Sequence, residues 1–176
     1  MTTEIIRYAV DEDGIATLTL DYPGKTMNVI DQAFMDSLEA CIARMQGDDG
    51  VRGGIITSGK DSFVAGADLM GMEANIDAMA DMPIEELFAS CASLSRLLRK
   101  LESLGKPLVA AINGMALGGG YEICLACHHR IAADAPTVMV GLPEAQVGLL
   151  PGAGGTQRLP RMIGDRKSTR LNSSHT

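Results

Sequence analysis

The sequence predicts an α/β fold. Short aliphatic strand candidates alternate with helical stretches along the chain, turn residues separate them, and there are no internal repeats. Its 176 residues suit one domain with enough length for a core, and 46% apolar against 21% charged residues is an ordinary globular balance. With no Trp and only 3% aromatics, that core has to be built from aliphatic side chains, Ala and Met.

Ile5–Val10 and Ile15–Leu20 read as two strands, with Ile6, Tyr8 and Val10 on one face and Ala16, Leu18 and Leu20 on another. Asp11-Glu12-Asp13-Gly14 between them is turn chemistry, so a hairpin is expected. Asp31 reads as a helix N-cap, followed by Phe34, Leu38, Cys41, Ile42 and Met45 at helical spacing and closed by Gly47. Gly54–Thr57 is a short buried strand, and Phe63–Asp68 (FVAGAD) a strand running into a loop. Met70–Met82, rich in Met, Ala and Asp, has no firm period and reads as mobile. Pro83 opens one long helix with the stripe Leu87, Phe88, Cys91, Leu94, Leu97, Leu98, Leu101 and Leu104, ended by Gly105-Lys106-Pro107. Leu108–Ile112 is a buried strand, and Asn113–Glu122 (NGMALGGGYE) a loop entering a helix. Arg130–Ala133 and Val138–Val140 are short strands, Gly141–Gly155 is loop-rich, and Thr156–Ile163 begins another helix.

A formal charge of −7 argues against nucleic acid, whose backbone needs a basic face. Met1–Val10 lacks the pattern of a secretory signal, and no apolar stretch reaches bilayer-spanning length. The four cysteines, Cys41, Cys91, Cys124 and Cys127, are therefore expected as reduced thiols in a cytoplasm.

Three glycine stretches could carry chemistry: Gly66-Ala67-Asp68, Gly118-Gly119-Gly120 and Gly152-Ala153-Gly154-Gly155. The triple glycine precedes a helix start, where free N–H groups attract negative charge. A second N–H near Ala67 would complete an oxyanion hole; the alternative is that these glycines only permit tight helix–strand packing. Gln157 stands where the third glycine of a dinucleotide fingerprint belongs, and no phosphate-binding P-loop pattern occurs. Cys124-Leu125-Ala126-Cys127-His128 matches a c-type haem attachment pattern, but it lies within an apolar helical stretch, and Cys91 and His129 give no standard zinc spacing. These cysteines read as small hydrophobes, and no metal is indicated. Glu122 and Glu144 both follow glycine loops and sit among apolar residues. Such surroundings raise a carboxyl pKa and allow an acid/base pair, although either residue could instead be a helix-end or surface carboxylate.

Phe63–Asp68, Asn113–Glu122 and Gly141–Leu159 (GLPEAQVGLLPGAGGTQRL), in that order, resemble the crotonase (enoyl-CoA hydratase/isomerase) family from Ile5 to about Gly164. The resemblance implies a spiral of ββα units and acyl-CoA thioester substrates. It implies that Ala67 and Gly119 form the oxyanion hole, that Glu122 positions and activates water, and that Glu144 protonates the α-carbon. Lys25 and Asn28, within Pro23–Asn28, match a stretch that touches CoA, with Ala65, Gly66 and Asp68 as further substrate-binding positions. Asp68 is expected to brace its loop rather than react, and Gly114 and Pro151 to shape theirs. Met70 departs from the pattern, because many members carry Lys there, and 70–82 matches a segment that lines the acyl tunnel. The reaction so implied is hydration of 2-enoyl-CoA in β-oxidation; the alternatives are a Δ3,Δ2-enoyl-CoA isomerase or a non-catalytic acyl-CoA-binding homologue.

Phe63–Leu69 and Val140–Gly164 look closest to the N-terminal domain of multifunctional fatty-acid oxidation α-subunits, in which a 3-hydroxyacyl-CoA dehydrogenase follows. The resemblance therefore implies no cofactor for the hydratase step, NAD only for a downstream dehydrogenase, and a trimer-based homo-oligomer or a complex with a thiolase. Residues 165–176 (DRKSTRLNSSHT) are polar and without aliphatic periodicity, and they resemble a translated sequencing adapter. The domain is accordingly read as 1–164, a partial crotonase-like domain missing its C-terminal helices, followed by a non-native tail. On that reading residues 1–176 alone are expected to be unstable, aggregated or inactive; a cooperative thermal melt of a soluble, active preparation contradicts it.

Overall fold

The structure is a computed structural model describing residues 4–68 and 80–164. Residues 70–79 of the methionine-rich segment, Met70 among them, and the tail 165–176 lie outside the described residues.

Strands β1 (Ile6–Val10) and β2 (Ile15–Leu20) form the expected antiparallel hairpin, with Ile6 opposite Leu20. Asp11 builds its turn, because its Oδ1 accepts the N–H groups of Asp13 at 3.0 Å and Ile15 at 2.8 Å. Ala16, Leu18 and Leu20 of β2 are buried, while the apolar face of β1 fades from buried Ile6 to exposed Val10 at the edge of the sheet. Strands β3 (Gly53–Ser58), β4 (Leu108–Ile112) and β6 (His129–Ala132) add in parallel, giving the order β1-β2-β3-β4-β6.

Helix α1 (Gln32–Gly47) buries Phe34, Leu38, Cys41, Ile42 and Met45, the stripe its spacing predicts. Asp31 caps it by accepting the Phe34 N–H at 2.9 Å, a bond worth about 1 kcal/mol. The long helix expected after Pro83 is instead two, α2 (Ile84–Cys91) and α3 (Ser93–Glu102), meeting at Ala92. Polar residues flank the joint, and the Ser93 hydroxyl donates to the Ser90 carbonyl at 2.7 Å, competing with the helical ladder there. Only the second half of the apolar stripe is packed: Leu97, Leu98, Leu101 and Leu104 are buried, whereas Phe88 is 66% exposed. The remaining helices are α4 (Gly119–Ala126) and α5 (Gly155–Ile163).

A second, shorter ladder accompanies the main sheet. Ile30 pairs in parallel with Ala67, Val64 with Ala116, and β5 (Ala116–Leu117) with β7 (Val140–Gly141). Its rungs include Ile30 N–H to Gly66 O at 2.9 Å, Leu117 N–H to Val64 O at 3.1 Å and Gly118 N–H to Gly141 O at 2.9 Å. Successive stretches of chain thus supply a main-sheet strand, a short ladder segment and a helix: β2, Ile30, α1; then β3, 64–67, α2 and α3; then β4, β5, α4. This is the spiral of ββα turns. Phe63–Asp68, expected as a strand running into a loop, contributes isolated bridges rather than an extended strand. The expected loop 141–155 contains a 3-10 turn, Glu144–Val147.

Asn28 ties the two ladders together. Fully buried, its amide accepts the Tyr22 N–H at 2.8 Å and donates to Leu20 O at 3.1 Å, Ser58 Oγ at 2.9 Å and Phe63 O at 3.0 Å. Asn28→Ala strands several of these buried groups, each costing about 1–3 kcal/mol. A destabilisation of about 3 kcal/mol or more is expected in a denaturant titration, and a loss below about 1 kcal/mol would show that the amide is not the tie.

Candidate active site

Two backbone N–H groups lie three residues beyond one parallel bridge. Val64 pairs with Ala116, so Ala67 and Gly119 follow their bridge partners at equal distance along adjacent segments. Gly66, with φ +110, brings the first segment so close that a Cβ there would sit 3.2 Å from Leu117 O. Gly119 is the first residue of α4, where no preceding turn offers a carbonyl. Neither the Ala67 nor the Gly119 N–H donates to a described residue.

The two glutamates gather at the same helix start. Glu144 opens the 3-10 turn just past β7, and its Oε1 would lie 3.1 Å from a Cβ at Gly118. Gly118 has φ +53 as well, so glycine serves both the turn and the approach of the carboxylate. The Glu144 Oε2 is buried and has no hydrogen-bond partner among the described residues. Glu122, in the first turn of α4, is 2% exposed. Its Oε1 accepts the N–H groups of Ala153 at 2.9 Å and Gly155 at 2.7 Å. A Cβ on Gly155 would stand 3.0 Å from that oxygen and 2.7 Å from Leu142 Cδ1, so only glycine admits the carboxylate.

Both carboxyls hold protons more tightly than an ordinary glutamate. Burial raises Glu122, and the Glu144 charge adds to this, against the lowering effect of the Gly155 and Ala153 N–H groups and of Arg158. Burial alone raises Glu144. The two residues differ in their hydrogen bonding: Glu122 is fixed as an acceptor by two donors, while Glu144 keeps an oxygen with no donor among the described residues.

The other expected site residues divide. Lys25 reaches Asp68 at 3.0 Å and Asp31 at 3.5 Å, and lies over the Tyr22 ring, 4.5 Å from its centroid. This ion pair fastens the 22–31 stretch to the Ala67 segment and raises the Lys25 pKa, chiefly through Asp68. Ala65 donates its N–H to Asn28 O at 2.9 Å, and Gly66 is a ladder acceptor. The Asn28 amide is spent within the protein. Cys124 and Cys127 are buried, with thiols donating to the carbonyls of Gly120 and Ile123. His128 Nδ1 accepts the Leu108 N–H at 3.1 Å, so the Cys-Cys-His run has structural bonds of its own. Sequence reasoning does not reach Ala153 and Gly155 as donors, nor Arg158 behind them. The one local signal is a glycine run opening a helix, the pattern that also marks 118–120.

Residues 11–173 match the family model described as enoyl-CoA hydratase/isomerase. The chain is 48% identical over 158 residues to a fatty acid oxidation complex subunit alpha of Shewanella loihica, an alignment covering 89% of this chain and 22% of that protein. It spans about a fifth of the length of such curated relatives. Among solved structures, an enoyl-CoA hydratase from Bacillus anthracis superposes with a TM-score of 0.79 at 32% identity, covering 95% of this chain and 61% of that one. One from Geobacillus kaustophilus gives 0.84 at 29% identity, covering 98% and 61%.

The raised Glu122 pKa has a definite consequence for stability. The folded state binds this proton more tightly than the unfolded state. Ionised Glu122 therefore costs stability at neutral pH; the cost fades as pH falls through the raised folded pKa toward the ordinary glutamate range and is absent below it. The melting-temperature change caused by Glu122→Gln is expected to be more favourable at about pH 7 than at about pH 4. An equal change at both values would mean that the buried charge carries no penalty.

Proposed function

The chain belongs to the enoyl-CoA hydratase/isomerase family, and on that premise we propose that it hydrates 2-enoyl-CoA thioesters to 3-hydroxyacyl-CoA in fatty-acid oxidation. The observation that carries the reading is the meeting, at one helix start, of two proton-binding carboxyls with the undonated Gly119 N–H.

In this reading the thioester carbonyl oxygen sits between the N–H groups of Ala67 and Gly119. The water oxygen bonds to the β-carbon, and the π pair of the C=C bond shifts to make an enolate on the thioester. Negative charge then grows on the oxygen that the two donors face, so they stabilise the transition state more than the substrate. One such donor is typically worth about 2.7–4 kcal/mol. Glu122, held as an acceptor by Ala153 and Gly155, takes the proton from water. Glu144, whose buried Oε2 has no partner among the described residues, delivers a proton to the α-carbon. Once Glu122 releases its proton and Glu144 regains one by exchange with solvent, the sum is addition of water with no change of oxidation state, so the step calls for no electron carrier.

The remaining assignments extend this reading. Lys25 and the Ala65–Asp68 segment lie beside the proposed oxyanion hole and suit the CoA portion of the substrate, whereas Asn28 supports them from beneath. The hydration step uses no cofactor, and NAD enters this reading only if a dehydrogenase domain follows. The relatives' designation as a complex subunit supports assembly with other chains, in this reading a trimer-based homo-oligomer, or a complex with a thiolase if the protein is multifunctional. Among the described residues no helix is long and apolar enough to cross a membrane; a cytoplasmic location is part of this reading.

Glu122→Gln is expected to lower hydration of a 2-enoyl-CoA by about 10²–10⁴-fold while sparing part of any Δ3,Δ2-isomerisation, which needs only Glu144. Glu144→Gln is expected to remove both. Spectrophotometric assay of the two variants decides the matter: unchanged hydration in Glu122→Gln sinks the assignment.

A further inference from the structure

We propose that Arg158, braced by Glu102, is a positioning residue for the Glu122 carboxylate: it grips the 153–155 turn that supplies both N–H donors to that carboxylate. The proposal rests on the reading of Glu122 as the base that takes the proton from water.

Ala153 is held from both sides. Its N–H donates to Glu122 Oε1 at 2.9 Å, and its carbonyl accepts Arg158 Nη1 at 2.7 Å. The other edge of the guanidinium makes a two-bond fork with Glu102, Nε to Oε1 at 3.2 Å and Nη2 to Oε2 at 3.2 Å. Glu102 is the last residue of α3 and is further fixed by Arg99 at 2.7 Å. The chain of contacts therefore runs from α3 through Arg158 of α5 and the turn to Glu122 of α4.

The turn is shaped around this cation. Gly154 has φ +102, and a Cβ there would lie 2.3 Å from Arg158 Nη1, so the residue between the two donors is one that lets the guanidinium in. The Arg158 side chain is 12% exposed, which limits screening of its charge. A lysine keeps the charge but cannot hold the Ala153 carbonyl and both Glu102 oxygens with one planar fork. Loss of Arg158 removes a positive charge near Glu122 and loosens its two donors. Both effects favour the protonated carboxyl, so they act in the same direction.

The test uses the full-length protein with Arg158→Met and Arg158→Lys. Deuterium uptake is followed in a peptide spanning 152–157, together with the acidic limb of the pH profile of kcat/KM for hydration. In Arg158→Met, uptake there is expected to rise roughly tenfold in rate. The acidic limb should move to higher pH, and kcat should fall more than KM changes. Arg158→Lys should lie between Arg158→Met and the parent on both readouts. If Arg158→Met does not fold, Arg158→Lys is judged by the same two measurements. Unchanged uptake overturns the proposal. So does an unmoved acidic limb, provided Glu122→Gln abolishes hydration. If Glu122→Gln leaves hydration intact, the functional reading has failed, and uptake alone decides whether Arg158 holds the turn.

Discussion

The short parallel ladder beside the main sheet is the constraint on which the site depends. Its rungs are main-chain hydrogen bonds linking Ile30 to Gly66, Val64 to Leu117 and Gly118 to Gly141. Parallel pairing makes successive turns of the chain leave the ladder in the same direction and side by side. Residues 67, 119 and 144, far apart in sequence, therefore emerge as neighbours at or just past their rungs. Most of the proposed reactive positions come from residues a short step beyond a rung, so the rungs set their spacing. Asn28 matters for the same reason, since one buried amide joins this ladder to the ends of β2 and β3.

Within that frame, burial and backbone donors set the electrostatics of the two carboxyls. Desolvation pushes both glutamates toward their protonated forms. Two N–H groups then pull Glu122 back and define where its Oε1 lies. The two chemically identical side chains thus differ in what the backbone does around them: Glu122 is held by two donors, whereas Glu144 Oε2 meets none among the described residues. Stability and chemistry pull in opposite directions here, because a buried charge that is useful to a reaction is a charge the fold would rather not hold.

The glycine run 152–155 serves this arrangement from behind the site. It presents two N–H groups inward to Glu122 while its outer side receives Arg158. A side chain at 154 or 155 would collide with one partner or the other. Helices α3, α4 and α5 are thereby coupled through polar contacts at the point where their apolar packing gives way to the site.

Much of this was legible in the sequence. The hairpin, the Asp31 cap and the stripe of α1 depend on neighbours within a few residues, and local patterns predicted them. The ordered motifs around Ala67, Gly119, Glu122 and Glu144 pointed to the family, because backbone close approach and a helix start demand glycine at particular places. Other features were out of reach. The break at Ala92 and the exposure of Phe88 depend on what α2 packs against, and a periodic stripe does not carry that information. That Asn28, in the stretch the resemblance links to CoA, spends its amide on the core is a contact that only the fold sets. Arg158 and Glu102, separated by 56 positions, become partners only when α3 and α5 dock. The sequence by itself determined the class of fold, through periodicity, and the family, through the resemblance of three ordered motifs, and it marked Glu122 and Glu144 as candidate acid–base groups. Only the tertiary structure decided which N–H groups meet which carboxylate and which cation stands behind them. Those contacts join distant segments, and their energies depend on distance and burial, which no linear pattern encodes.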